Sequence, residues 1–201
     1  RIAPRPALAA LVAALSALGV SLRQGTEAPP GADAVIWSTG VAGLAALGHD
    51  LNRKMGAPVK GQAATLRGDW RDAPQLFVEG VHLVPHGDGT VAIGSTSERD
   101  FDAAETTDAQ LEALIARARS LCPDLADAPV VERWAGLRPR ASSRAPMIGP
   151  WPGRAGHFVL NGGFKIGFGM APKLAALTAD LVLEGSAAIP DGFRVIDNLD
   201  E

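Results

Sequence analysis

The 201-residue sequence contains no tyrosine and only one cysteine, Cys122. A single cysteine cannot form an internal disulfide and leaves no partner for a cysteine-based metal site. We therefore expect a reducing, cytoplasmic compartment and no bound metal ion. Because the sequence has no phenol, any side-chain hydroxyl in a binding site must come from serine or threonine.

No excess of one charge points to a polyanionic or polycationic partner. Nineteen Lys and Arg residues against 22 Asp and Glu residues give a formal net charge of -3, and the basic residues form no run. The sequence therefore lacks the electrostatic signature of a nucleic-acid-binding protein. No apolar stretch reaches the roughly 18 to 20 residues that cross a bilayer, so no membrane span is expected.

Hydrophobic residues make up 47% of the sequence, which is enough to bury a core. Leu8, Leu11 and Leu15 lie on one helical stripe, so their spacing predicts an amphipathic helix near the start of the sequence. Thr107-Asp108-Ala109-Gln110 reads as a capping box that opens a second helix. In total, helices are predicted at 4–19, 107–121 and 172–185.

Short apolar or alternating segments predict strands along most of the remaining sequence. They lie at 20–23, 33–40, 59–66, 76–78, 81–85, 91–95, 130–136 and 157–160. Asp88-Gly89 between two of the central segments is a strong hairpin signal, so the central strands should be antiparallel. The 33–40 segment instead ends in small residues, which is typical of a buried parallel strand that opens toward a ligand. The order of elements predicts an α+β fold.

Arg138 is the first residue whose surroundings suggest chemistry. It follows a predicted strand in Trp134-Ala135-Gly136-Leu137-Arg138-Pro139, and the proline restricts the backbone beside it. A guanidinium matches a carboxylate with two parallel hydrogen bonds, so Arg138 is a candidate anchor for an amino-acid-like substrate. An ion pair with Glu132 or Asp124 is the structural alternative, and this segment alone favours it.

A glycine-rich loop is the second unusual feature. It reads Asn161-Gly162-Gly163-Phe164-Lys165-Ile166-Gly167-Phe168-Gly169-Met170-Ala171-Pro172 between a strand and a helix. Its glycines allow positive φ and close backbone approach, and a helix start offers unpaired N–H groups to an electron-rich ligand. Phe168 stands where a Walker A motif has lysine, and the sequence contains no GxGxxG dinucleotide fingerprint. A purely structural turn explains the glycines equally well.

Taken together, four segments resemble the carboxyl-terminal signature of the FAD-dependent D-amino acid oxidase superfamily. They are 134–139, 145–149, 161–167 and 171–172. Lys60-Gly61-Gln62 resembles the Arg-Gly-Gln of the superfamily, 93–96 resembles its Ile-Gly-x-Thr, and 33–40 resembles one of its strands. The motifs are most similar to those of glycine oxidase, sarcosine oxidase and the D-amino acid dehydrogenases. Order and spacing agree from about residue 4 to residue 184.

The resemblance implies a domain organisation. Residues 1–48 and 156–201 would form the remnant of a Rossmann-like FAD-binding domain, with parallel strands and helices. Residues 49–155 would form the substrate-binding domain, an antiparallel sheet with a helix packed on it. Superfamily members begin with a βαβ unit whose GxGxxG loop binds the FAD pyrophosphate, and this sequence has none. We therefore expect only the carboxyl-terminal half of a flavoenzyme, whose missing amino-terminal FAD-binding half is its partner.

The resemblance also assigns roles to individual residues. Arg138 corresponds to the arginine that binds the substrate carboxylate. Lys165 stands where glycine oxidase has a second arginine, and His82 stands near an active-site tyrosine; a solvated loop lysine and an exposed hairpin histidine are the alternatives. Non-covalent FAD would contact Gly40, Gly162, Gly163, Phe164, Lys165, Ile166, Gly167, Phe168 and Gly169. FAD binding to this chain alone should be weak or absent.

These assignments imply an FAD-dependent oxidoreductase. It would oxidise the Cα–N bond of an amino acid, or of a secondary amine that carries a carboxylate, by hydride transfer to the flavin. This chain alone would then be inactive. The alternative is a stand-alone, non-catalytic binding or assembly module that keeps the fold. An upstream reading frame that encodes GxGxxG would favour the enzyme, and its absence would favour the module.

Overall fold

The computed structural model describes residues 1–25, 27–28 and 30–199, which form two compact units. Unit 1 comprises Arg1–Ala28, Gln62–Thr96 and Thr107–Trp134. Unit 2 comprises Pro29–Gly61, Ser97–Thr106 and Ala135–Glu201. The boundaries of these two units differ from those of the FAD-binding and substrate-binding domains predicted from the sequence. Those domains are defined by function, and the compact units do not test them. The last two positions of the predicted FAD-domain remnant, 200 and 201, lie outside the described residues.

The described residues form helices and strands in an α+β arrangement. The helices are α1 (Pro4–Ala17), α2 (Gly40–Asp50), α3 (Ala109–Leu121) and α4 (Gly167–Glu184), with short 3-10 turns at Pro123–Leu125 and Ile196–Asn198. The strands are β1 (Val35–Trp37), β2 (Gly56–Arg67), β3 (Leu76–Val78), β4 (Val81–Pro85), β5 (Thr90–Gly94), β6 (Val130–Ala141), β7 (Met147–Pro150) and β8 (His157–Asn161). Within the described ranges, every helix is too short or too polar to cross a membrane.

The central strands form a five-stranded sheet in the order β3-β4-β5-β2-β6. The pairs β3–β4, β4–β5 and β5–β2 are antiparallel, as the alternating pattern predicts. The predicted hairpin joins β4 to β5, with Gly89 at φ 77°. There the carboxylate of Asp88 accepts a hydrogen bond from the Thr90 N–H at 3.1 Å. Local turn chemistry therefore sets the register of these two strands.

Helix α3 covers the apolar face of this sheet and completes the core of unit 1. Its buried residues Leu111, Ile115 and Ala118 join the sheet residues in one cluster. The sheet residues of that cluster are Ala64, Leu66, Val81, Leu83, Val91 and Ile93. Each large aliphatic side chain buried in this way contributes about 1.5–3 kcal/mol of transfer free energy. The predicted helix on the antiparallel sheet is confirmed.

The start of α3 differs from the predicted capping box. The N-cap is Asp108 rather than Thr107, and its carboxylate accepts the Gln110 N–H at 2.9 Å. The reciprocal acceptor comes from β2, because the Gln62 side-chain oxygen accepts the Asp108 N–H at 2.9 Å. A carboxylate at the N-cap satisfies a free N–H of the first turn and complements the helix dipole.

Helix α1 forms where the apolar stripe predicts it, but the stripe is exposed. None of its residues is buried, and Leu8 and Leu11 are each 61% exposed. The helix belongs to unit 1, where Arg5 donates to the carboxylate of Glu132 at 2.7 Å. Helix α1 therefore lies in a different compact unit from residues 156–185. The predicted strand at 20–23 is wrong, because that exposed segment has no pairing strand.

Acid should release α1, because the described contacts that hold it are polar. The Arg5 hydrogen bond and charge lower the pKa of Glu132, and partial burial opposes this effect. A carboxyl whose pKa is lower in the folded state adds stability above its unfolded pKa of about 4.3, and that stability disappears as the pH falls through the folded pKa. We expect the protection factors of the α1 amides, which are the intrinsic exchange rates at each pH divided by the observed rates, to be lower in acid than at neutral pH.

The variant Glu132→Gln should likewise lower the protection factors of the α1 amides at neutral pH. Glu112→Gln is the matched control, because Glu112 pairs with Arg133 at 2.8 Å and not with α1. Equal exchange of α1 in Glu132→Gln and in the unsubstituted protein would show that the ion pair does not hold the helix.

Unit 2 contains a three-stranded sheet in the order β1-β8-β7. Strands β1 and β8 are parallel, with Trp37 opposite Val159, as expected of the parallel strands predicted within 1–48 and 156–201. Strand β1 lies at the edge of this sheet and Ile36 is 45% exposed, so the strand is not fully buried as predicted. Strand β7 pairs with β8, so the antiparallel sheet predicted within 49–155 ends before β7.

Helices α2 and α4 contribute the apolar residues that pack with this sheet. Leu44 and Leu47 of α2 are buried in a cluster with Met55, Ala141, Met147, Trp151, Val159 and Val195. Leu174 and Leu177 of α4 are buried with Ile148 of β7. The sequence does not predict α2, because its glycines at 40, 43 and 48 weaken the helical signal.

Candidate functional site

The carboxyl ends of β1 and β8 meet at one edge of the sheet in unit 2, because the two strands are parallel. Gly40, with φ 60°, begins α2 just beyond β1, and Gly162, with φ 77°, follows β8 directly. The side chain of Asn161 joins the two segments. Its amide donates to the Gly40 carbonyl at 2.9 Å, and its oxygen accepts the Gly162 N–H at 2.7 Å.

Gly43 provides the space for this bridging amide. A Cβ at position 43 would lie 2.7 Å from the Asn161 amide nitrogen and 2.3 Å from the Thr39 hydroxyl oxygen. Neither Asn161 nor Gly43 is predicted from the sequence as a functional residue. An asparagine at a strand end directly before two glycines is the signal that identifies the bridge.

The glycine-rich loop lies along the end of β6, immediately beyond Arg138. The Phe164 N–H donates to the Pro139 carbonyl at 3.1 Å, and Gly163 forms an antiparallel bridge with Arg140. A Cβ at Gly162 would lie 2.9 Å from the Ala141 Cβ. The structure therefore brings together the strand that carries Arg138 and the candidate cofactor loop.

Helix α4 begins at Gly167, five residues before the predicted start at Pro172, which lies inside the helix. The Met170 N–H makes the first helical hydrogen bond, to Ile166 at 3.0 Å. The N–H groups that precede this bond are therefore those of Gly167, Phe168 and Gly169. Pro172 lacks an N–H and so removes one helical hydrogen bond without ending the helix. The predicted end is confirmed, since Gly185 takes φ 74°.

The other two candidate catalytic residues lie in different units. Lys165 is exposed on the loop in unit 2, with its nitrogen 5.6 Å from the centroid of the Phe164 ring. His82 is exposed on β4 in unit 1 and stacks on Phe77, with 4.3 Å between ring centroids. Unit 2 thus contains Arg138, Lys165 and the loop.

Arg138 is half-buried on β6, and its guanidinium lies over the backbone of β2. Its Nη1 donates weakly to the Lys60 carbonyl at 3.5 Å. Burial lowers the pKa of the guanidinium, and the negative charge of Glu98 opposes this effect. An arginine side chain keeps its proton in proteins, so Arg138 is a cation at neutral pH. Glu132, one of the two predicted ion-pair partners, binds Arg5 instead.

A buried ion pair lies beside Arg138. The Lys60 Nζ is 3.6 Å from a carboxylate oxygen of Glu98, and both side chains are buried. Their backbones also pair, with N–H to carbonyl hydrogen bonds of 2.9 Å in both directions. The cluster of Lys60, Arg138 and Glu98 therefore contains two cations and one carboxylate, which suits a site for an anionic ligand.

Two further observations delimit the site. In the part of the chain that the structure describes, no three His, Cys, Asp or Glu side chains are grouped so that they could hold a metal ion. A cavity of about 820 Å³ in unit 2 is lined by Arg99, Arg140 and Ser142, among others, and by none of the candidate site residues. The candidate site is therefore defined by the loop and by Arg138.

Asn161→Asp should destabilise unit 2. The substitution keeps an oxygen for the Gly162 N–H but replaces the amide that donates to the Gly40 carbonyl with a second acceptor. Leaving this half-buried carbonyl without its donor costs about 1 kcal/mol or somewhat more, which urea unfolding would measure. Asn52→Asp is the control, because Asn52 is exposed and its change should stay within about 0.5 kcal/mol. Equal urea midpoints for Asn161→Asp and the unsubstituted protein would show that the bridge does not stabilise the loop.

A glycine loop at the carboxyl edge of parallel strands, leading into a helix, is a common arrangement for binding a nucleotide cofactor. Comparison with known proteins defines the class further. The chain belongs to the FAD dependent oxidoreductase family, DAO, whose model matches residues 1–181. The family resemblance and the α+β fold predicted from the sequence are thereby confirmed, and FAD is the cofactor of the family.

Individual relatives agree with this assignment. The chain is 38% identical over 167 residues to the glycine oxidase of Pseudomonas putida, which covers 80% of this chain and 44% of that protein. It is 40% identical over 127 residues to the glycine oxidase of Pseudomonas aeruginosa, covering 62% of this chain and 35% of that protein. The structure of glycine oxidase from Geobacillus kaustophilus matches with a TM-score of 0.71 and 30% identity, over 82% of this chain and 45% of that one. The chain thus spans less than half the length of these relatives.

Proposed function

We propose that this chain supplies the substrate anchor and the flavin-ring side of an FAD-dependent oxidoreductase. The reaction is oxidation of the Cα–N bond of a small amino acid, or of a secondary amine that carries a carboxylate. The observation that carries the proposal is the contact between Pro139 and Phe164, which joins the strand of Arg138 to the glycine loop. The names of the relatives, glycine oxidase and iminodiacetate oxidase, support a small carboxylate substrate.

The loop fits the flavin of FAD. Gly162 has a positive φ, and a Cβ at Gly163 would lie 2.9 Å from the Gly167 Cα, so the loop leaves no room for a side chain at that position. The free N–H groups of the first turn of α4 favour the electron-rich pyrimidine edge of a flavin. When bound, FAD would supply the acceptor for the hydride that leaves the substrate Cα. The residues proposed to hold it are Gly40, Gly162, Gly163, Phe164, Lys165, Ile166, Gly167, Phe168 and Gly169.

Arg138 binds and orients the substrate. Its guanidinium donates two parallel hydrogen bonds to a carboxylate, and this geometry fixes the direction in which the adjacent Cα–H bond points. Lys165 is a flexible cation on the loop and attracts the same carboxylate without fixing its orientation. From the family resemblance alone, we assign His82 the role of the active-site tyrosine near whose position it stands.

The same cations favour the reactive protonation state of the substrate. Hydride leaves from a carbon whose nitrogen holds a free electron pair, so the amine must be neutral. Positive charge on Arg138 and Lys165 stabilises the carboxylate of the substrate but disfavours an ammonium group beside it, which lowers the pKa of the amine. The residues of this chain therefore assist deprotonation without a dedicated general base.

Three further parts of the proposal concern organisation. Residues 1–48 and 156–201 act as the FAD-binding part and residues 49–155 as the substrate-binding part. The segment that binds the FAD pyrophosphate lies outside these 201 residues, in keeping with the absence of GxGxxG. The cytoplasm is the proposed location, which the single cysteine supports.

Turnover of a substrate panel tests the proposal. The complete enzyme, in which this chain is joined to the amino-terminal FAD-binding half and FAD is bound, should release ammonia from glycine or methylamine from sarcosine, with one oxidised Cα–N bond per turnover. Methylamine, which has no carboxylate, and glycolate, which has no nitrogen, should not be oxidised. Oxidation of methylamine at a rate similar to that of glycine would contradict a carboxylate anchor. If no amine is oxidised while FAD is bound, the proposal fails in favour of a non-catalytic module.

A further inference from the structure

The guanidinium of Arg138 occupies the space directly above Gly61 of β2. A Cβ at position 61 would lie 2.0 Å from one terminal nitrogen of Arg138 and 2.2 Å from both the other terminal nitrogen and the central carbon. Ordinary contacts of a Cβ begin near 3.4 Å. Even alanine at position 61 would therefore require a displacement of more than an ångström.

The side chain of Arg138, rather than the strand, is the part that can move. Strand β2 is held at this point by the reciprocal backbone hydrogen bonds between Lys60 and Glu98, both 2.9 Å. The guanidinium is the end of a long side chain with several rotatable bonds, so its displacement costs little. A larger residue at position 61 would consequently shift the guanidinium and leave the sheet intact.

The surrounding charges define where the guanidinium lies above Gly61. The Lys60 carbonyl is 3.5 Å from Nη1, and the charge of Glu98 acts on the same guanidinium. The Lys60 ammonium forms an ion pair with the Glu98 carboxylate, with 3.6 Å between Nζ and Oε2. The backbone of Gly61 thus provides a flat surface for the guanidinium, and the charges of Glu98 and Lys60 limit its sideways position.

We propose that Gly61 is a positioning residue. Because it has no side chain, the Arg138 guanidinium can lie close to β2, in the position and orientation needed to donate two hydrogen bonds to the substrate carboxylate. This inference rests on the proposed role of Arg138 as the anchor. Two parallel hydrogen bonds demand coplanar groups, so a shift of more than an ångström breaks at least one of them. The residue at position 61 therefore controls carboxylate affinity without touching the substrate.

Titration of the isotope-labelled chain with acetate tests this inference, with the backbone amides of 135–141 as reporters. Gly61→Ala should bind acetate about tenfold more weakly than the unsubstituted chain, the equivalent of one lost charge-assisted hydrogen bond. Its urea unfolding midpoint should stay close to that of the unsubstituted chain. Gly87→Ala is the control, because its Cβ would meet no atom within 4 Å, and it should bind acetate normally.

A double-mutant cycle separates positioning from a general structural effect. Adding Gly61→Ala to Arg138→Lys should cause no further loss of acetate affinity, since lysine has no planar guanidinium that a Cβ at position 61 could displace. A full tenfold loss in the Lys background, or normal acetate binding by Gly61→Ala alone, would overturn the role of Gly61 and leave Arg138 as the anchor. Equal acetate binding by the unsubstituted chain and Arg138→Lys would overturn the anchor, and the positioning role with it.

A direct measurement covers the case in which Gly61→Ala does not fold. In the unsubstituted chain, the Gly61 α-protons should show nuclear Overhauser contacts to the side-chain protons of Arg138. The absence of these contacts in the folded chain would overturn the proposal whatever the variants do.

Discussion

In the complete enzyme, which adds the amino-terminal FAD-binding half and bound FAD to this chain, Arg138→Lys should raise the glycine concentration that gives half-maximal turnover by about ten- to 150-fold. Lysine keeps the positive charge near Glu98 but loses the planar fork that binds both carboxylate oxygens. The expected loss is that of a hydrogen bond to a charged group, about 1.5–3 kcal/mol. Steady-state kinetics with glycine, together with urea unfolding of the same samples, would measure both effects.

Arg140→Lys provides the matched control, because Arg140 lies two residues further along β6 and lines a separate cavity. It should leave the glycine requirement close to that of the unsubstituted protein. Unfolding of Arg138→Lys in milder urea, together with unchanged affinity for carboxylates, would mean that Arg138 is a structural residue.

Trp151→Ala should cost the protein about 3–5 kcal/mol, the largest stability effect that we expect in unit 2. Trp151 is 3% exposed and packs in the cluster of β7, β8 and α2. Its indole N–H donates to the Asp50 carboxylate at 2.9 Å, and the Arg154 guanidinium lies 4.6 Å from its ring centroid. Alanine removes the packing and both polar contacts and leaves a cavity.

Urea unfolding measures the change in stability for Trp151→Ala. Leu183→Ala is the control in the same unit, because Leu183 is 82% exposed and its loss should change stability by no more than about 0.5 kcal/mol. Similar urea midpoints for Trp151→Ala and Leu183→Ala would show that Trp151 does not hold the unit together.

Local signals in the sequence predict much of the fold. The Asp88-Gly89 turn and the alternation of β4 and β5 depend on neighbouring residues, and both are found as predicted. Helix α2 is missed because its glycines disfavour a helix in isolation, whereas packing of Leu44 and Leu47 in the core stabilises it. Proline at 172 suggests a helix start, yet the helix begins earlier because its other hydrogen bonds offset the missing one.

The candidate site is harder than the fold to predict from the sequence, because its geometry depends on contacts between residues that are far apart in the chain. The Arg138 motif and the glycine loop are recognisable in isolation, and the hydrogen bond between Phe164 and Pro139 joins them only in the fold. Gly61, which lies beneath the Arg138 guanidinium, belongs to β2. Its neighbour Lys60, 78 positions before Arg138, accepts a hydrogen bond from the guanidinium at its carbonyl. The Lys60-Gly61-Gln62 motif is recognisable in the sequence, but no local pattern shows that its glycine lies beneath the guanidinium of a distant arginine.

The spectrum of the bound flavin during a titration with acetate tests the central claim most directly. If Arg138 anchors a carboxylate beside the flavin ring, acetate should perturb the visible absorbance of the FAD-loaded complete enzyme, which includes the amino-terminal FAD-binding half, in a saturable manner. Arg138→Lys should need at least about tenfold more acetate for the same change. A flavin spectrum that does not respond to acetate, or that responds identically in the two proteins, would contradict the account.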